Sequence, residues 1–254
     1  MASWNQAEGA SAGEQQLRIA YGRALEMASF KGGFLMRTAH ELRSPLNKII
    51  SLQQMILEGL CDDIEEERQF VADAYAASLK MLEYLDLMIR VSKIEMGRLE
   101  PQLQPVSLAE VFTQVKDLTQ MQVADRNLRL TVELPKPDIK IQTDSAWLRN
   151  LLTLLIEMAV DGSDRGNLHL RLAVPVNDDM SIIWLEDDRP TPAWQEAAQG
   201  PSLQEFDLND TLSTSLRMSL AEAMTMAMGG RLSLLSLTTE KVPTRLQIAL
   251  PNVG

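Results

Sequence analysis

One histidine of this chain is followed by residues that suit phosphoryl chemistry. His40 is followed directly by Glu41, and Ser44 comes one helical turn later, on the same helix face. An imidazole nitrogen can attack a phosphoryl group and hold it as a high-energy phosphoramidate. An adjacent carboxylate can act as general base on the ring or orient it, and Pro45, which lacks an N–H, is expected to kink the helix there. His40 and Glu41 are therefore candidates for phosphoryl chemistry, with Ser44 beside them on the same face of the helix.

The remaining histidine and the cysteine offer less chemistry. His169 alternates with leucines in residues 168–172, so it shares the wetter face of a predicted strand with Arg171. It has no acid or nucleophile next to it in sequence, and we interpret it as a strand-surface residue. The one cysteine, Cys61, excludes a disulfide scaffold and a cysteine-rich zinc site. The sequence predicts no metal site.

Composition excludes several classes of function. The 254 residues include 24 Lys and Arg against 35 Asp and Glu, a formal net charge of −11 with no basic run, which argues against nucleic-acid binding. The longest apolar stretch, residues 151–160, contains Thr153 and Glu157 and is too short to span a membrane. Residues 1–16 lack the features of a signal peptide. We expect a soluble cytoplasmic protein without membrane or nucleic-acid partners.

Helical periodicity runs from about residue 14 to residue 98. A break at residues 58–63 makes Asp62 or Asp63 the N-cap of a second helix that ends near Gly97. The apolar stripe continues along that helix through Phe70, Ala74, Leu82, Leu85 and Ile89. Two helices joined this way form an antiparallel hairpin, which cannot bury both its apolar faces alone. We predict a dimeric four-helix bundle; the alternative is a hairpin packed on its own C-terminal half.

Prolines and short alternating runs replace the helical pattern after residue 97. Helices are predicted over residues 108–126, 145–160 and 216–228. Strands are predicted over residues 128–134, 168–174 and 181–186, with a closing hairpin over 229–251. Mixed strands and helices in about 150 residues indicate an α/β sandwich. The fold class is therefore α+β, a helical hairpin followed by a sandwich.

Two sequence runs resemble those of sensor histidine kinases. Residues 40–46 read His-Glu-Leu-Arg-Ser-Pro-Leu, the core of the family's H box, within the longer matching run 34–49. Residues 91–99 resemble the usual end of the family's second helix before its ATP-binding domain. The resemblance implies a flexible N-terminus over 1–13, a dimerisation and phosphotransfer hairpin over 14–100, and a histidine-kinase-like ATPase domain over 101–254. It also implies that His40, Glu41 and Ser44 are the catalytic residues of a phosphoryl-carrying histidine site. In that site Ser44 helps to place a water that dephosphorylates the partner.

The resemblance also assigns ATP contacts, and most of these positions carry other residues. An ungapped alignment over residues 144–160 puts Met158 at the magnesium ligand, Leu154 at an earlier asparagine and Asp161 at a basic position. A thioether is a poor ligand for Mg²⁺, and Asp161 would face phosphates with the wrong sign. An alignment shifted by one residue puts Glu157 at the metal position instead.

The two glycine-rich elements have lost their glycines. Asp187 matches the aspartate that accepts from the adenine amino group, and it is the one residual cofactor-binding position, but Arg189 and Thr191 replace the glycines that follow. The last glycine loop falls on Ser213, Ser215 and Arg217, of which the arginine can still bind a phosphate. The segment between these elements has as apolar anchors Trp194, Leu203, Phe206 and Leu208, and we derive no nucleotide-binding role for it. No cofactor is expected, and these departures argue against binding of ATP and Mg²⁺.

An intact H box beside an altered ATP site predicts a histidine phosphotransfer protein of a two-component system. In this hypothesis a homodimer exchanges phosphoryl groups on His40 with a response-regulator receiver domain, and phosphotransferase or phosphatase activity is favoured over ATP-dependent kinase activity. One alternative is an active sensor histidine kinase with atypical ATP contacts. The other is a non-catalytic pseudokinase scaffold, which pairs with a partner histidine kinase and does not depend on His40.

Overall fold

The computed structural model describes residues 21, 32, 34–36, 38–39, 41–161, 165–173, 179–188, 194, 214–237 and 244–253. In these ranges, no helix is both long enough and apolar enough to cross a membrane. The first helix, α1, is continuous over residues 41–57, and a short loop joins it to α2 (Ile64–Glu95). The amine of Lys48 on α1 lies 3.8 Å from a carboxylate oxygen of Asp73 on α2. The predicted helical hairpin is therefore confirmed.

Local sequence signals fix both ends of α2. The Asp63 carboxylate accepts from the Glu66 backbone N–H at 2.8 Å, and the Glu66 carboxylate accepts from the Asp62 N–H at 2.6 Å. At the other end Gly97 has a φ of 62°, and the Arg98 N–H donates to the Lys93 carbonyl. This is a Schellman ending, which favours glycine because of its positive φ.

The apolar residues of α2 lie on two faces rather than in one stripe. Buried on one face are Ala74, Ala77, Tyr84, Leu87, Val91 and Ile94. Exposed on the other, which we name the outer face of α2, are Val71, Tyr75, Leu79, Leu82, Leu85 and Ile89. The single stripe expected from the sequence was wrong in this respect, since it combined Ala74 of the buried face with Leu82 and Ile89 of the exposed one.

A mixed sheet with helices on one face follows the hairpin, as predicted. The remaining helices are α3 (Leu108–Asp125), α4 (Ser145–Asp161) and α5 (Thr214–Ala227). The strands are β1 (Gln104–Ser107), β2 (Leu128–Val132), β3 (Lys140–Thr143), β4 (Gly166–Leu172), β5 (Met180–Asp187), β6 (Arg231–Ser236) and β7 (Thr244–Pro251). The sheet has the order β2-β4-β5-β7-β6, in which only the β2–β4 pair is parallel.

Alternation along the strands separates a core face from an open face. On the core face lie Leu168, Leu170, Ile183, Leu185, Leu246 and Ile248, in one cluster with buried residues of α3, α4 and α5. On the open face lie His169, Arg171, Trp184, Glu186 and Arg245. The hairpin joins this body because α2 also contacts α5.

Two short strands were not predicted from the sequence. β1 and β3 pair in antiparallel register, with Val106 opposite Ile141. Each has only four residues and β1 contains Pro105, so neither is long enough to show a clear alternation.

The cap geometry predicts the effect of removing the Asp63 side chain. Asp63→Ala leaves an unpaired N–H in the first turn of α2, and we expect a loss of about 1 kcal/mol in the free energy of unfolding. The matched control is Asp62→Ala, because the same charge is removed from the same helix end without the side-chain hydrogen bond. Denaturant unfolding measures both variants, and equal losses would contradict this assignment of the cap.

Candidate functional site

The H-box residues lie at the start of the continuous part of α1. His40 itself lies outside the described residues. Glu41 is buried, with 5 % of its surface exposed, while Ser44 is partly exposed one turn along the helix. Pro45 is buried and α1 continues through it to residue 57. The predicted pair of Glu41 and Ser44 is thus carried on one helix, in the part of the chain that the hairpin brings against α2.

The second set of predicted site residues depends on α4, whose start is fixed by Asp144. One oxygen of the Asp144 carboxylate accepts from the N–H groups of Ala146 and Trp147, at 2.9 and 3.1 Å. The other oxygen accepts from the Gln102 N–H at 2.8 Å. Asp144 is therefore a helix cap that also ties α4 to the segment between α2 and β1.

Met158 and Asp161 lie in different environments on α4. Met158 is 2 % exposed and packs in the hydrophobic cluster, so its thioether is a core group. Asp161, by contrast, lies at the end of α4 and forms an ion pair with Arg217 of α5. The resemblance expects a basic residue at position 161. Asp161 is acidic instead, and Arg217 of the same chain neutralises its charge.

Arg217 is a buried cation between two carboxylates of α4. Its side chain is 7 % exposed; one Nη donates to Asp161, and the other lies 3.7 Å from Glu157. Burial raises the pKa of the Glu157 carboxyl, Arg217 opposes that shift, and Asp161 adds to it; the net pKa lies above the usual value. Two acids thus compete for one arginine, and Asp161 has the closer contact.

Asp187 accepts a hydrogen bond from an indole. It is the last residue of β5, on the core face, and is 3 % exposed. The Trp194 Nε1–H donates to its Oδ2 at 3.0 Å, and Trp194 is also 3 % exposed. The sequence prediction of Trp194 as an apolar anchor therefore missed its polar contact, because nothing in the sequence pairs it with Asp187.

Several predicted positions cannot be placed. Outside the described residues lie Arg189, Thr191, Leu203, Phe206, Leu208 and Ser213, and the side chain of Ser215 is likewise not described. In the parts of the chain that the structure does describe, no three His, Cys, Asp or Glu side chains come close enough together to hold a metal ion.

His169 lies on the open face of the sheet, as predicted, but the fold brings acids to it. Its Nε2 is 2.9 Å from Glu133 and its Nδ1 is 3.6 Å from Glu186. Burial raises the pKa of Glu186, but hydrogen bonds and charges from Arg171 and Arg245 outweigh it, so the pKa lies below its usual value.

The same two arginines stack on Trp184. Their guanidinium carbons lie 4.4 and 3.7 Å from the indole centroid, for Arg171 and Arg245 respectively. Sequence reasoning missed this cluster because its members lie on three strands; the alternation of each strand could have placed them on one face. It is a satisfied ion-pair cluster on the opposite side of the sheet from Asp187.

Comparison with known proteins assigns the hairpin. Residues 30–97 match the family model described as the His Kinase A (phospho-acceptor) domain. An uncharacterized sensor-like histidine kinase of Rhizobium meliloti is 30 % identical over 140 residues, which are 54 % of this chain and 27 % of that protein. The aerobic respiration control sensor protein ArcB of Escherichia coli is 28 % identical over 164 residues, 63 % of this chain and 21 % of its own length. The chain thus spans about a quarter of these relatives or less.

Solved structures extend the likeness to the whole fold. The Acinetobacter baumannii histidine kinase AdeS superposes with a TM-score of 0.55 at 16 % identity, over 85 % of this chain and 98 % of that chain. A histidine kinase ThkA, crystallised in complex with the response regulator protein TrrA, gives a TM-score of 0.58 at 16 % identity, over 90 % and 64 % of the two chains. The order of hairpin and sandwich is therefore that of known histidine kinases.

The arrangement around Arg217 predicts opposite effects for its two acids. Asp161→Asn weakens the pairing of a buried cation, and we expect it to lower the free energy of unfolding by about 1.5–3 kcal/mol at pH 7. Glu157→Gln removes a carboxylate whose pKa is raised by folding, so we expect a small gain in stability at pH 7.

The pH dependence of the stability gain in Glu157→Gln tests whether folding raises the pKa of the Glu157 carboxyl. A raised pKa means that ionised Glu157 costs stability at neutral pH, and this cost disappears when the carboxyl is protonated in both states. The advantage of Glu157→Gln should therefore narrow as the pH falls from 7 toward about 4.3, the usual pKa of glutamate. Chemical denaturation across that range measures the difference, and an advantage that grows on acidification would contradict the assignment.

Proposed function

Because the chain belongs to the histidine kinase family, we propose that it carries phosphoryl groups on His40 to or from an aspartate of a response-regulator receiver domain. We propose further that it has little or no ATP-dependent autophosphorylation. The sandwich then serves as a docking surface in a two-component system rather than as a source of phosphate.

The observation that carries this proposal is the ion pair between Arg217 and Asp161. Both residues stand at positions that the resemblance assigns to contacts with the nucleotide's phosphates. In this chain the cation and the carboxylate bind each other and hold α4 against α5. Met158, at the magnesium position, is packed in the core. These contacts of Met158, Asp161 and Arg217 support the proposal that the chain does not bind ATP and Mg²⁺.

The proposed transfer balances without a metal held by this chain. An imidazole nitrogen of His40 attacks the phosphorus of an aspartyl phosphate and forms an N–P bond. The bond from phosphorus to the aspartate oxygen breaks, and its electron pair returns to the carboxylate. In this proposal the other ring nitrogen gives its proton to the carboxylate of Glu41, the next residue in the chain. The reverse sequence delivers the group to a second receiver.

An active kinase with atypical contacts is the second candidate. It is favoured by the retention of Asp187 in a buried position at the end of β5, where the resemblance places an adenine contact. This candidate requires that nucleotide displace the internal partners of Asp187 and Arg217.

We also propose that the hairpin dimerises through the outer face of α2. Its apolar residues are exposed in the single chain, and exposed apolar patches of this kind mark interaction surfaces. A second copy would bury them in a four-helix bundle, while the inner face packs within the chain.

A charge on that face should separate the dimer. In Leu82→Glu, each chain loses a buried leucine worth about 1.5–3 kcal/mol, so we expect at least tenfold weaker dimerisation by analytical ultracentrifugation. The matched control is Leu118→Glu on α3, because both leucines are 57 % exposed in the monomer. A dimer that Leu82→Glu leaves unchanged, or that Leu118→Glu weakens equally, would argue against this face.

The proposed function is tested by following labelled phosphate from two donors. Purified protein is incubated either with γ-labelled ATP and Mg²⁺, or with labelled phospho-receiver domains of response regulators from the same organism. We expect acid-labile label on the chain from a receiver and none from ATP. His40→Gln should abolish the label, and Glu41→Gln should slow transfer by about 10²–10⁴-fold.

Each other outcome selects an alternative. His40-dependent label from ATP would show a working kinase and overturn the proposal. Label from neither donor, by a folded dimer and across the receivers, would favour the pseudokinase scaffold. Ser44→Ala is the control within the H box: we expect it to retain phosphotransfer and to lose dephosphorylation of the receiver.

A further inference from the structure

A cavity of about 310 Å³ lies where three parts of the chain meet: the last turn of α2, the segment that follows it, and the end of α5. Ligand pockets in proteins have volumes of about 300–1,000 Å³ and are common where separate structural units meet. The cavity is therefore large enough for a small molecule or for one long side chain. Within the described part of the chain, its lining includes no residue of the H box and none of the aligned ATP contacts.

Apolar side chains line part of this cavity. Ile94 of α2 belongs to the hydrophobic core, and Ala227 at the end of α5 also lines the cavity. Leu99 and Leu103, on the segment after α2, are 37 % and 45 % exposed. A ligand that covered these two leucines would remove apolar surface from water. This part of the cavity therefore favours a ligand with a hydrocarbon chain.

The same cavity is lined by a carboxylate with an unmet hydrogen bond. Glu95 is the last residue of α2, and its Oε1 is shielded from solvent with no hydrogen-bond partner among the described residues. A carboxylate oxygen that leaves water without gaining a donor costs free energy, and a hydrogen bond to a charged group is among the stronger ones. A ligand that donates to this oxygen would therefore recover that cost on binding.

A second carboxylate makes the cavity acidic. Glu100 also lines it and folds back on the turn at Gly97, where its Oε1 would lie 3.0 Å from a Cβ added to the glycine. No basic residue is among the described residues that line the cavity; Lys93 and Arg98, the basic residues nearest to Glu95 in sequence, do not line it. The cavity thus offers two negative charges to a ligand and no positive charge, which favours a cation.

We propose that this cavity binds a primary alkylammonium group, with its ammonium at the Glu95 carboxylate and its alkyl chain against Leu99 and Leu103. An ammonium has three N–H donors and a full positive charge, so it can donate to Glu95 and still face Glu100. An alcohol supplies a single donor without the charge, and an anionic ligand would be repelled. The group can come from a free amine or from a lysine side chain of another protein, since both present the same chemistry.

Four matched ligands test the charge and the apolar wall separately. Binding of n-hexylamine, n-butylamine, 1-hexanol and hexanoate to the full chain is measured by calorimetry at pH 7 and constant ionic strength. The δ1 methyl resonance of Ile94, assigned with Ile94→Val, reports whether a ligand occupies the cavity. We expect n-hexylamine to bind about tenfold to a hundredfold more tightly than 1-hexanol, the range set by a charged hydrogen bond. n-Butylamine, with two methylenes fewer, should bind about tenfold more weakly than n-hexylamine, and hexanoate should not bind.

Two variants of α2 locate the ammonium. Glu95→Gln replaces the carboxylate by an amide of the same shape, and the matched control is Glu83→Gln, an exposed glutamate of the same helix. We expect Glu95→Gln to weaken n-hexylamine by about tenfold to a hundredfold and to leave 1-hexanol unchanged, while Glu83→Gln changes neither. Equal losses in the two variants would overturn the inference. So would equal binding of n-hexylamine and 1-hexanol, or an Ile94 methyl unmoved by saturating amine, and both of these readouts use the unchanged protein.

A blocked lysine, Nα-acetyl-lysine N-methylamide, separates the two sources of the group. It has the alkylammonium chain of n-butylamine with peptide groups attached. Affinity equal to or above that of n-butylamine would indicate a lysine side chain of another protein, and lower affinity would indicate a free amine. The cavity shares no described residue with the H box, so a lack of amine binding would reject only the role of the cavity. His40-dependent label from ATP would instead reject only the proposed function.

Discussion

A buried arginine needs a carboxylate, and this requirement constrains how α5 packs on α4 around Arg217. A guanidinium taken out of water without a partner costs several kcal/mol, so α5 can pack on α4 only where an acid meets it. Asp161 is that acid, at the last turn of α4, with Glu157 one turn earlier. The two helices share this contact, and the same two positions are those at which a nucleotide would need its own counter-charges. Arg217 and Asp161 cannot pair with each other and bind the phosphates of a nucleotide at the same time.

The hairpin is subject to a different constraint. α2 is apolar on two faces, and no single-chain packing in the described fold covers both. Its inner face meets the rest of the chain, including α5, and its outer face is open. One helix thus carries both the face that packs on the rest of the chain and an exposed apolar face.

Sequence reasoning succeeded where the determining contacts are local. The ends of α2 follow from Asp63 and Gly97, each of which acts on backbone groups within a few residues. The strands of the main sheet follow from alternation over five to eight residues, which β1 and β3 are too short to show. The division of α2 into two faces was missed, because apolar residues on a helix are visible in sequence while their partners are not.

The site was less predictable, because its contacts are distant in sequence. The alignment identified Asp161 and Arg217 separately, as a wrong charge and a possible phosphate ligand, 56 residues apart. Only the packing of α4 on α5 shows that each is the partner of the other. Likewise, Glu186 and Arg245 lie 59 residues apart and meet only because β5 pairs with β7.

A residue retained from the family motif can owe its presence to a contact within the chain. Asp187 keeps the residue that the resemblance to sensor histidine kinases expects at an adenine contact, and from sequence alone it favours nucleotide binding. In the fold its Oδ2 accepts a hydrogen bond from the Trp194 indole, so this buried carboxylate is used within the chain itself. Replacement of Asp187 would therefore be costly with or without a nucleotide. Asp187 at the end of β5 is therefore explained by its pairing with the Trp194 indole. Its retention is not by itself evidence of nucleotide binding.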